Sequence, residues 1–214
     1  GTNFQRRNSK KHYRMEKNKF IEAIQFRKDF RSYKAGETFT FKAGINLLVG
    51  DQGSGKSSMF YSIINFEESG VAMKYDENSS YAFIDTETMN PRRLDAYKHN
   101  RPTFDSIMEA ERHETRSAAN YMYNDYGRKS HGQVMLPYLT DVKEKGKTLF
   151  IDEPESGLSI RSQHKLWNHF KELEKHNQLI IATHSQVFME YQKEVLSLEH
   201  KKWMTSNDFL KTQI

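Results

Sequence analysis

The chain has 214 residues, of which 36% are hydrophobic and 29% charged, with 14 Phe and 11 Tyr among them. That supplies enough apolar and aromatic mass for one packed core and excludes disorder throughout. No apolar run approaches the roughly 18–20 residues that cross a bilayer. With no cysteine, disulfides, thiol catalysis and Cys-based zinc sites are also excluded.

The formal net charge is +5. Residues 1–14 hold Arg6, Arg7, Lys10, Lys11 and Arg14 and no acid, so from Met15 onward 28 bases face 28 acids. The excess charge is that of a basic tail, not of the body. Residues 1–14 lack apolar periodicity and read as a mobile polar end. They are either a vector remnant or extended start, or an arm that touches nucleic-acid phosphates. No apolar stretch follows them, so no secretory leader is expected. Residues 15–214 read as a single domain.

The elements follow in chain order. Residues 20–30 and 37–42 read as strands joined by a turn over Ser32–Gly36, with Thr38–Phe41 alternating at period two. Ile45–Val49 reads as a short buried strand ending at Gly50, followed by a helix over 55–66. Residues 69–80 suggest loop or edge strand, and Tyr81–Ile84 another short strand. Phe104, Ile107, Met108 and Glu111 place a helix over 103–126. A second helix is expected over 132–144, bent near Pro137. Thr148–Ile151 is a strand, and 160–176 an amphipathic helix with Leu166, Phe170 and Leu173 on one stripe. Leu179–Ala182 is a buried strand. A last strand near 195–199 and a helix near 206–211 finish the chain. Alternating strands and helices predict an α/β sheet of partly parallel strands.

The strongest signal is Gly50-Asp51-Gln52-Gly53-Ser54-Gly55-Lys56-Ser57, which fits G-x-x-x-x-G-K-[ST] between a strand and a helix. Glycines let successive N–H groups turn inward around β- and γ-phosphates, and the helix points its positive end at the anion. Lys56 is expected at the β/γ oxygens, Ser57 on Mg²⁺ and Ser58 near the α-phosphate. The cofactors implied are ATP and Mg²⁺.

Residues 148–153, Thr-Leu-Phe-Ile-Asp-Glu, place two acids at the C-terminal edge of the sheet, where ligands of open α/β sheets bind. Asp152 would hold Mg²⁺, directly or through water, and Glu153 would polarise the attacking water. Phosphoryl transfer needs mainly positioning and charge neutralisation, and adjacent acids can divide those tasks.

Residues 151–159, IDEPESGLS, and 180–185, IIATHS, resemble the ABC-type ATPases. The resemblance runs from about residue 20 to 200. It implies an ABC-type ATPase head: a P-loop NTPase sheet flanked by helices, with an N-terminal antiparallel β layer and a small helical lid at about 91–140. It makes Ser156–Ser159 the D-loop and His184 the switch histidine that contacts γ-phosphate and helps hold the catalytic water. It makes Ser130-His131-Gly132-Gln133 a shortened signature, with Ser130 and the backbone near Gly132 capping γ-phosphate across a dimer. Lys129 and His131 depart from the transporter pattern L-S-G-G-Q. Ser130 is equally readable as a helix N-cap, and the two readings are compatible. No Q-loop glutamine follows Tyr81–Ile84. Asp85 or Glu87 stands there, and Glu87 is the candidate metal contact.

Asp29-Phe30-Arg31-Ser32-Tyr33 resembles the N-F-[RK]-S-[FYH] opening of the chromosome-maintenance and recombination-repair branch, with Asp29 in place of Asn. It makes Phe30, Arg31 and Tyr33 candidate base-side contacts. The wording DEPESGLS and ATHS resembles small stand-alone ATPases with an S-H-G-[EQ] signature, many of them from mobile elements or defence systems. The 72-residue interval Ser58–Lys129 shows no sustained heptads, which suits a compact lid rather than a long coiled coil. Arg92, Arg93, Lys98, Arg101, Arg112, Arg116, Arg128 and Lys129 outnumber its acids, as a solvated face or a partner or nucleic-acid surface.

The resemblance thus implies a cytoplasmic ATPase without membrane insertion that dimerises head-to-tail around Mg-ATP. Such a dimer would control a separate effector in DNA transactions or genome defence, with Glu153 and His184 as the catalytic pair. The alternatives are the nucleotide-binding subunit of a membrane transporter and a non-catalytic ATP-dependent interaction module.

Overall fold

The computed structural model describes residues 20–75, 80–84, 136–137, 139–142 and 145–213. In chain order its elements are β1 (Ile21–Phe26), β2 (Thr38–Thr40), β3 (Ile45–Val49), α1 (Lys56–Ile64), α2 (Phe66–Ser69), β4 (Val71–Tyr75) and β5 (Ser80–Ile84). They continue with β6 (Lys147–Asp152), α3 (Ile160–Leu173), β7 (Gln178–Ala182), α4 (Gln186–Tyr191), β8 (Glu194–Ser197), β9 (Lys202–Thr205) and α5 (Ser206–Lys211). The tail 1–14, the expected helix 103–126, most of the lid, and Asp85, Glu87, Ser130 and Gly132 lie outside the described residues.

A six-stranded sheet runs in the order β5-β6-β7-β3-β8-β9, parallel throughout except for β9, which pairs antiparallel with β8. Its central strands are covered on both faces, so β3 (INLLV) and β7 (QLIIA) are buried at every position. Side chains alternate between two cores. Leu47, Leu149, Ile151, Leu179 and Ile181 pack with Leu166, Phe170 and Phe188 of α3 and α4. Leu48, Phe150 and Ile180 pack on the other face with Met59, Phe60 and Ile63 of α1 and with Ile24 and Phe26 of β1. Truncating a fully buried ring such as Phe150 to Ala costs about 3–5 kcal/mol.

The antiparallel layer β2-β1-β4 covers that second face. Gln178 helps fasten it at the N-terminal edge of the sheet. Gln178 Oε1 accepts Ile21 N–H at 3.1 Å and the Thr148 hydroxyl at 2.8 Å, while its Nε2 donates to the Ile21 and Lys42 carbonyls, both at 2.9 Å. Asn46 fills the same role beside it: its Oδ1 accepts Lys42 N–H at 2.7 Å and its Nδ2 donates to the Lys42 carbonyl at 2.8 Å. Both amides are buried and satisfied, as polar groups in a core must be.

At the opposite edge the register is level. Leu48 of β3 and Asp152 of β6 both align with Ala182 of β7. The loops leaving β3, β6 and β7 therefore emerge side by side.

Several elements differ from expectation. The first strand ends at Phe26 because Asp29 organises a tight loop: its Oδ1 accepts Ala35 N–H at 2.9 Å and its Oδ2 the Lys34 ammonium at 2.8 Å. The helix after the phosphate loop stops at Ile64, and Asn65 separates it from the single turn of α2, which Gly70 ends in the left-handed region. Within 69–80, Ser69 ends α2, Val71–Tyr75 form edge strand β4 and Ser80 begins β5, while 76–79 lie outside the described residues. Within 132–144, residues 136–137 and 139–140 are helical. The short α4 and the strand β9 have no counterpart in the sequence pattern. Among the described residues, no helix is long and apolar enough to cross a membrane.

Candidate functional site

The phosphate loop joins β3 to α1. Gly50, Gly53 and Gly55 all have positive φ, the conformations that turn backbone N–H groups inward. Gly55 leaves no room for a side chain: with φ at 103°, a Cβ there would sit 2.6 Å from Ser32 Oγ and 2.8 Å from the Tyr33 hydroxyl. That hydroxyl donates to the Gly55 carbonyl at 2.8 Å. Tyr33 is buried and stacked on Phe26 with ring centroids 4.3 Å apart. This corrects the expectation of a base-side contact, because Tyr33 braces the loop from below. Burial also pushes its phenol well above the ordinary range.

Lys56 is buried and folds back onto its own loop, donating to the carbonyls of Gly50 at 2.8 Å and Asp51 at 3.1 Å. Desolvation pulls its ammonium below the usual lysine range, and the charges of Glu153, Asp152, Glu155 and Glu199 push it back up. One buried cation thus faces four carboxylates. Ser57, Asp51, Gln52 and Gly53 are exposed, Ser54 and Ser58 half-buried.

Asp152 ends β6, and Glu153 follows with φ at 44°. That left-handed backbone costs a non-glycine residue on the order of 1 kcal/mol or more. It is held by Glu153 N–H donating to the Ala182 carbonyl at 2.9 Å and Ser156 N–H donating to the Glu153 carbonyl at 3.0 Å. The turn aims Glu153 Oε1 at His184 Nε2, 3.4 Å away, with both side chains nearly half exposed. The expected catalytic pair is therefore adjacent. Ser156, in the expected D-loop, is exposed on the same turn.

A third carboxylate, Glu155, lies beneath this pair. Its Oε1 accepts His184 N–H at 2.6 Å, while its Oε2 is buried without a hydrogen-bond partner. Burial raises its carboxyl above the ordinary range, against the hydrogen bonds from His184 and Thr183. Glu199, from the turn after β8, places its Oε1 on Asp51 N–H at 2.7 Å.

Phe30 and Tyr61 lie parallel with ring centroids 6.1 Å apart. The Arg31 guanidinium sits 4.2 Å from the Tyr61 centroid and 5.3 Å from that of Phe30, and donates to Ser58 Oγ at 3.3 Å. Arg31 has a left-handed φ of 53°. Phe30 and Arg31 thus stand beside the start of α1, with Tyr61 as a third member.

The residues fit Mg²⁺ with a nucleotide phosphate. The Ser57 hydroxyl and the Asp152 carboxylate are hard oxygen donors. A cation that takes few protein ligands and completes its shell from phosphate and water suits such a pair. The excess of carboxylates around Lys56 would repel bare polyphosphate, which a divalent ion offsets.

Residues 130–190 match the family model described as "AAA domain, putative AbiEii toxin, Type IV TA system". That span runs from Ser130 past His184 and does not include the phosphate loop. A comparison with curated proteins gives no match. A nucleotide-free ATP-binding cassette from an ABC transporter superposes with a TM-score of 0.54 at 16% identity, over 91% of this chain and 93% of that one. The fold is that of an ATP-binding cassette. The cassette MJ1267 in its ADP conformation gives a TM-score of 0.51 at 18% identity, over 87% of this chain and 89% of that one. The cassette MJ0796, a dimer in a post-hydrolysis state with ADP and Pi, gives 0.51 at 14% identity, over 88% and 98%. The shared architecture is the mixed α/β sheet flanked by helices, with the antiparallel N-terminal layer.

Sequence reasoning missed Glu155, Glu199 and Tyr61. The acid of Glu155, two residues beyond Glu153 in the DEPE run, is a usable signal. Glu199 contacts a residue 148 positions away, which no local pattern reveals.

Proposed function

We propose that the chain binds and hydrolyses ATP with Mg²⁺, and that nucleotide binding joins two copies head-to-tail. Lys56 leaves the Gly50 and Asp51 carbonyls for the β- and γ-phosphate oxygens, and the loop's N–H groups hold the remaining charge. Ser57 and Asp152 would hold Mg²⁺, which would neutralise charge on the phosphates. Glu153 Oε1 takes a proton from the attacking water, and His184 Nε2 orients that water and γ-phosphate. Phe30 and Arg31 serve the base side. Ser130, Gly132 and Ser156 of one copy complete the site of the other, and Glu87 stands in for the Q-loop glutamine.

The observation that carries this reading is the Glu153–His184 pair, 3.4 Å apart at the sheet edge shared with Lys56. Glu153→Gln should lower turnover by about 100-fold or more while ATP still binds, and light scattering should show a dimer in ATP. A Glu153→Gln chain that hydrolyses at the wild-type rate, or stays monomeric at saturating ATP, defeats it.

The dimer is a two-state switch for a separate effector, in DNA transactions or genome defence. The wording DEPESGLS and ATHS and the partial family match support that setting. A pull-down with Glu153→Gln in ATP identifies the effector. Recovery of membrane permease subunits would favour the transporter reading, which the similarity to a cassette from an ABC transporter suggests. Direct DNA contact through the tail or lid is tested by comparing the full chain with one starting at Met15 across salt. Equal affinity and equal salt slope remove the tail as a contact.

A further inference from the structure

The D-loop turn is tied to the His184 loop by two side chains, one on either side of Ser156–Ser159. The turn is closed by Ser156 N–H donating to the Glu153 carbonyl and Leu158 N–H donating to the Glu155 carbonyl at 2.9 Å. On its N-terminal side, Glu155 Oε1 accepts the backbone N–H of His184 at 2.6 Å. On its C-terminal side, Gln163 of α3 donates through Nε2 to the Leu158 carbonyl at 3.1 Å. The same amide accepts the Ser185 hydroxyl through Oε1 at 2.7 Å. Ser185 in turn caps α4 by accepting Phe188 N–H at 3.1 Å. Both tethers therefore end on consecutive residues, 184 and 185. Pro154 and Leu158 are buried and anchor the turn, while Ser156 and Gly157 remain exposed.

We infer that Glu155 is a positioning residue for His184, and that Glu155 and Gln163 together couple the D-loop turn to the distance between His184 Nε2 and Glu153 Oε1. The inference rests on the proposed hydrolysis. His184 follows Thr183, whose N–H is held by the Leu48 carbonyl at 3.1 Å, so β7 fixes the backbone only up to that point. Beyond it the loop is oriented by the two tethers and by Ser185 N–H donating to Thr183 Oγ1 at 2.9 Å.

Glu155→Ala should lower kcat about tenfold or more, with nucleotide Kd changed by less than about threefold. Glu155→Gln keeps an oxygen on His184 N–H and should retain kcat within about threefold. Gln163→Leu should lower kcat severalfold in the same way. In a His184→Ala background the Glu155→Ala effect should vanish, since one acts through the other. Full additivity of the two substitutions, or a Glu155→Gln variant as impaired as Glu155→Ala, overturns the inference. Amide exchange of the 183–185 segment supplies a readout independent of turnover. It should quicken in Glu155→Ala and stay slow in Glu155→Gln. A wild-type chain without ATPase activity refutes the function beneath the inference. Exchange then still judges the tether, and equal rates in wild type and Glu155→Ala overturn it.

Discussion

Glu199 Oε1 accepts the backbone N–H of Asp51 at 2.7 Å, so a carboxylate holds the first turn of the loop that has to receive phosphate. Two effects oppose each other there. The hydrogen bond orders the loop and contributes about 1 kcal/mol. The charge stands among the four that act on Lys56 and disfavours an incoming anion. The two separate by substitution. Glu199→Gln keeps an acceptor and drops the charge, so ATP should bind a few-fold more tightly, by about 0.5–1 kcal/mol discounted for its exposure. Glu199→Ala removes both, and ATP should bind about fivefold more weakly as the loop loosens. Fluorescent-nucleotide titration measures both. Equal affinities in the two variants would show that the hydrogen bond contributes nothing.

Gly55→Ala should abolish nucleotide binding and lower stability together. A methyl group 2.6 Å from Ser32 Oγ and 2.8 Å from the Tyr33 hydroxyl cannot be accommodated without moving the brace under the loop, and φ at 103° is itself unfavourable. Clash and strain should cost about 2–4 kcal/mol. Denaturant titration and nucleotide binding check this. Wild-type stability in the Gly55→Ala chain would mean that the loop is far softer than these contacts imply.

Gln178→Leu tests the fastening of the antiparallel layer. It strands the Ile21 N–H, the Ile21 and Lys42 carbonyls and the Thr148 hydroxyl inside the core. Each unsatisfied buried group costs about 1–3 kcal/mol, and partial relaxation should leave a loss of about 3–5 kcal/mol. Chemical denaturation gives the value. A loss under about 1 kcal/mol would show that water reaches these groups.

The stability of the chain should carry a pH signature from Glu155. Burial raises its carboxyl above the ordinary value, so the folded chain holds that proton more tightly than the unfolded chain. Its charged form therefore costs stability above the folded pKa, and the cost fades as pH falls through the window toward the ordinary carboxylate value. Glu155→Gln removes the charge. Its Tm should exceed that of wild type near neutral pH, and the difference should shrink as pH falls to about 4.5. A difference that widens in acid would contradict desolvation as the cause.

The sequence exposes what depends on short spacing. Ile45–Val49 followed by the glycines and Lys56 announces a strand, a phosphate loop and a helix, because all three lie within twenty residues and each constrains the next. Asp152 and Glu153 are legible for the same reason. Strand ends are less so: the loop that stops β1 is organised by Asp29 reaching Lys34 and Ala35, which a β pattern does not register. The six-residue α4 is too short for periodicity to show. The hairpin before β9 turns through Lys201 at φ 53°, with no Gly or Asn to announce it. The motif assigns Tyr33 to the nucleotide's base along with its neighbours, whereas its burial is decided by Phe26 and Phe39 packing on either side.

The level register of β3, β6 and β7 has a further consequence for how such a chain can change. Each strand acts as a ruler that delivers its loop to a common plane: Leu48, Asp152 and Ala182 share one rung. Adding or removing one residue within β7 would slide His184 by about 3.3 Å and turn alternate side chains to the opposite core. Residues between the elements can vary in number far more freely. Change in length is thus confined to the connections, and change in chemistry to the few positions that leave the shared rung.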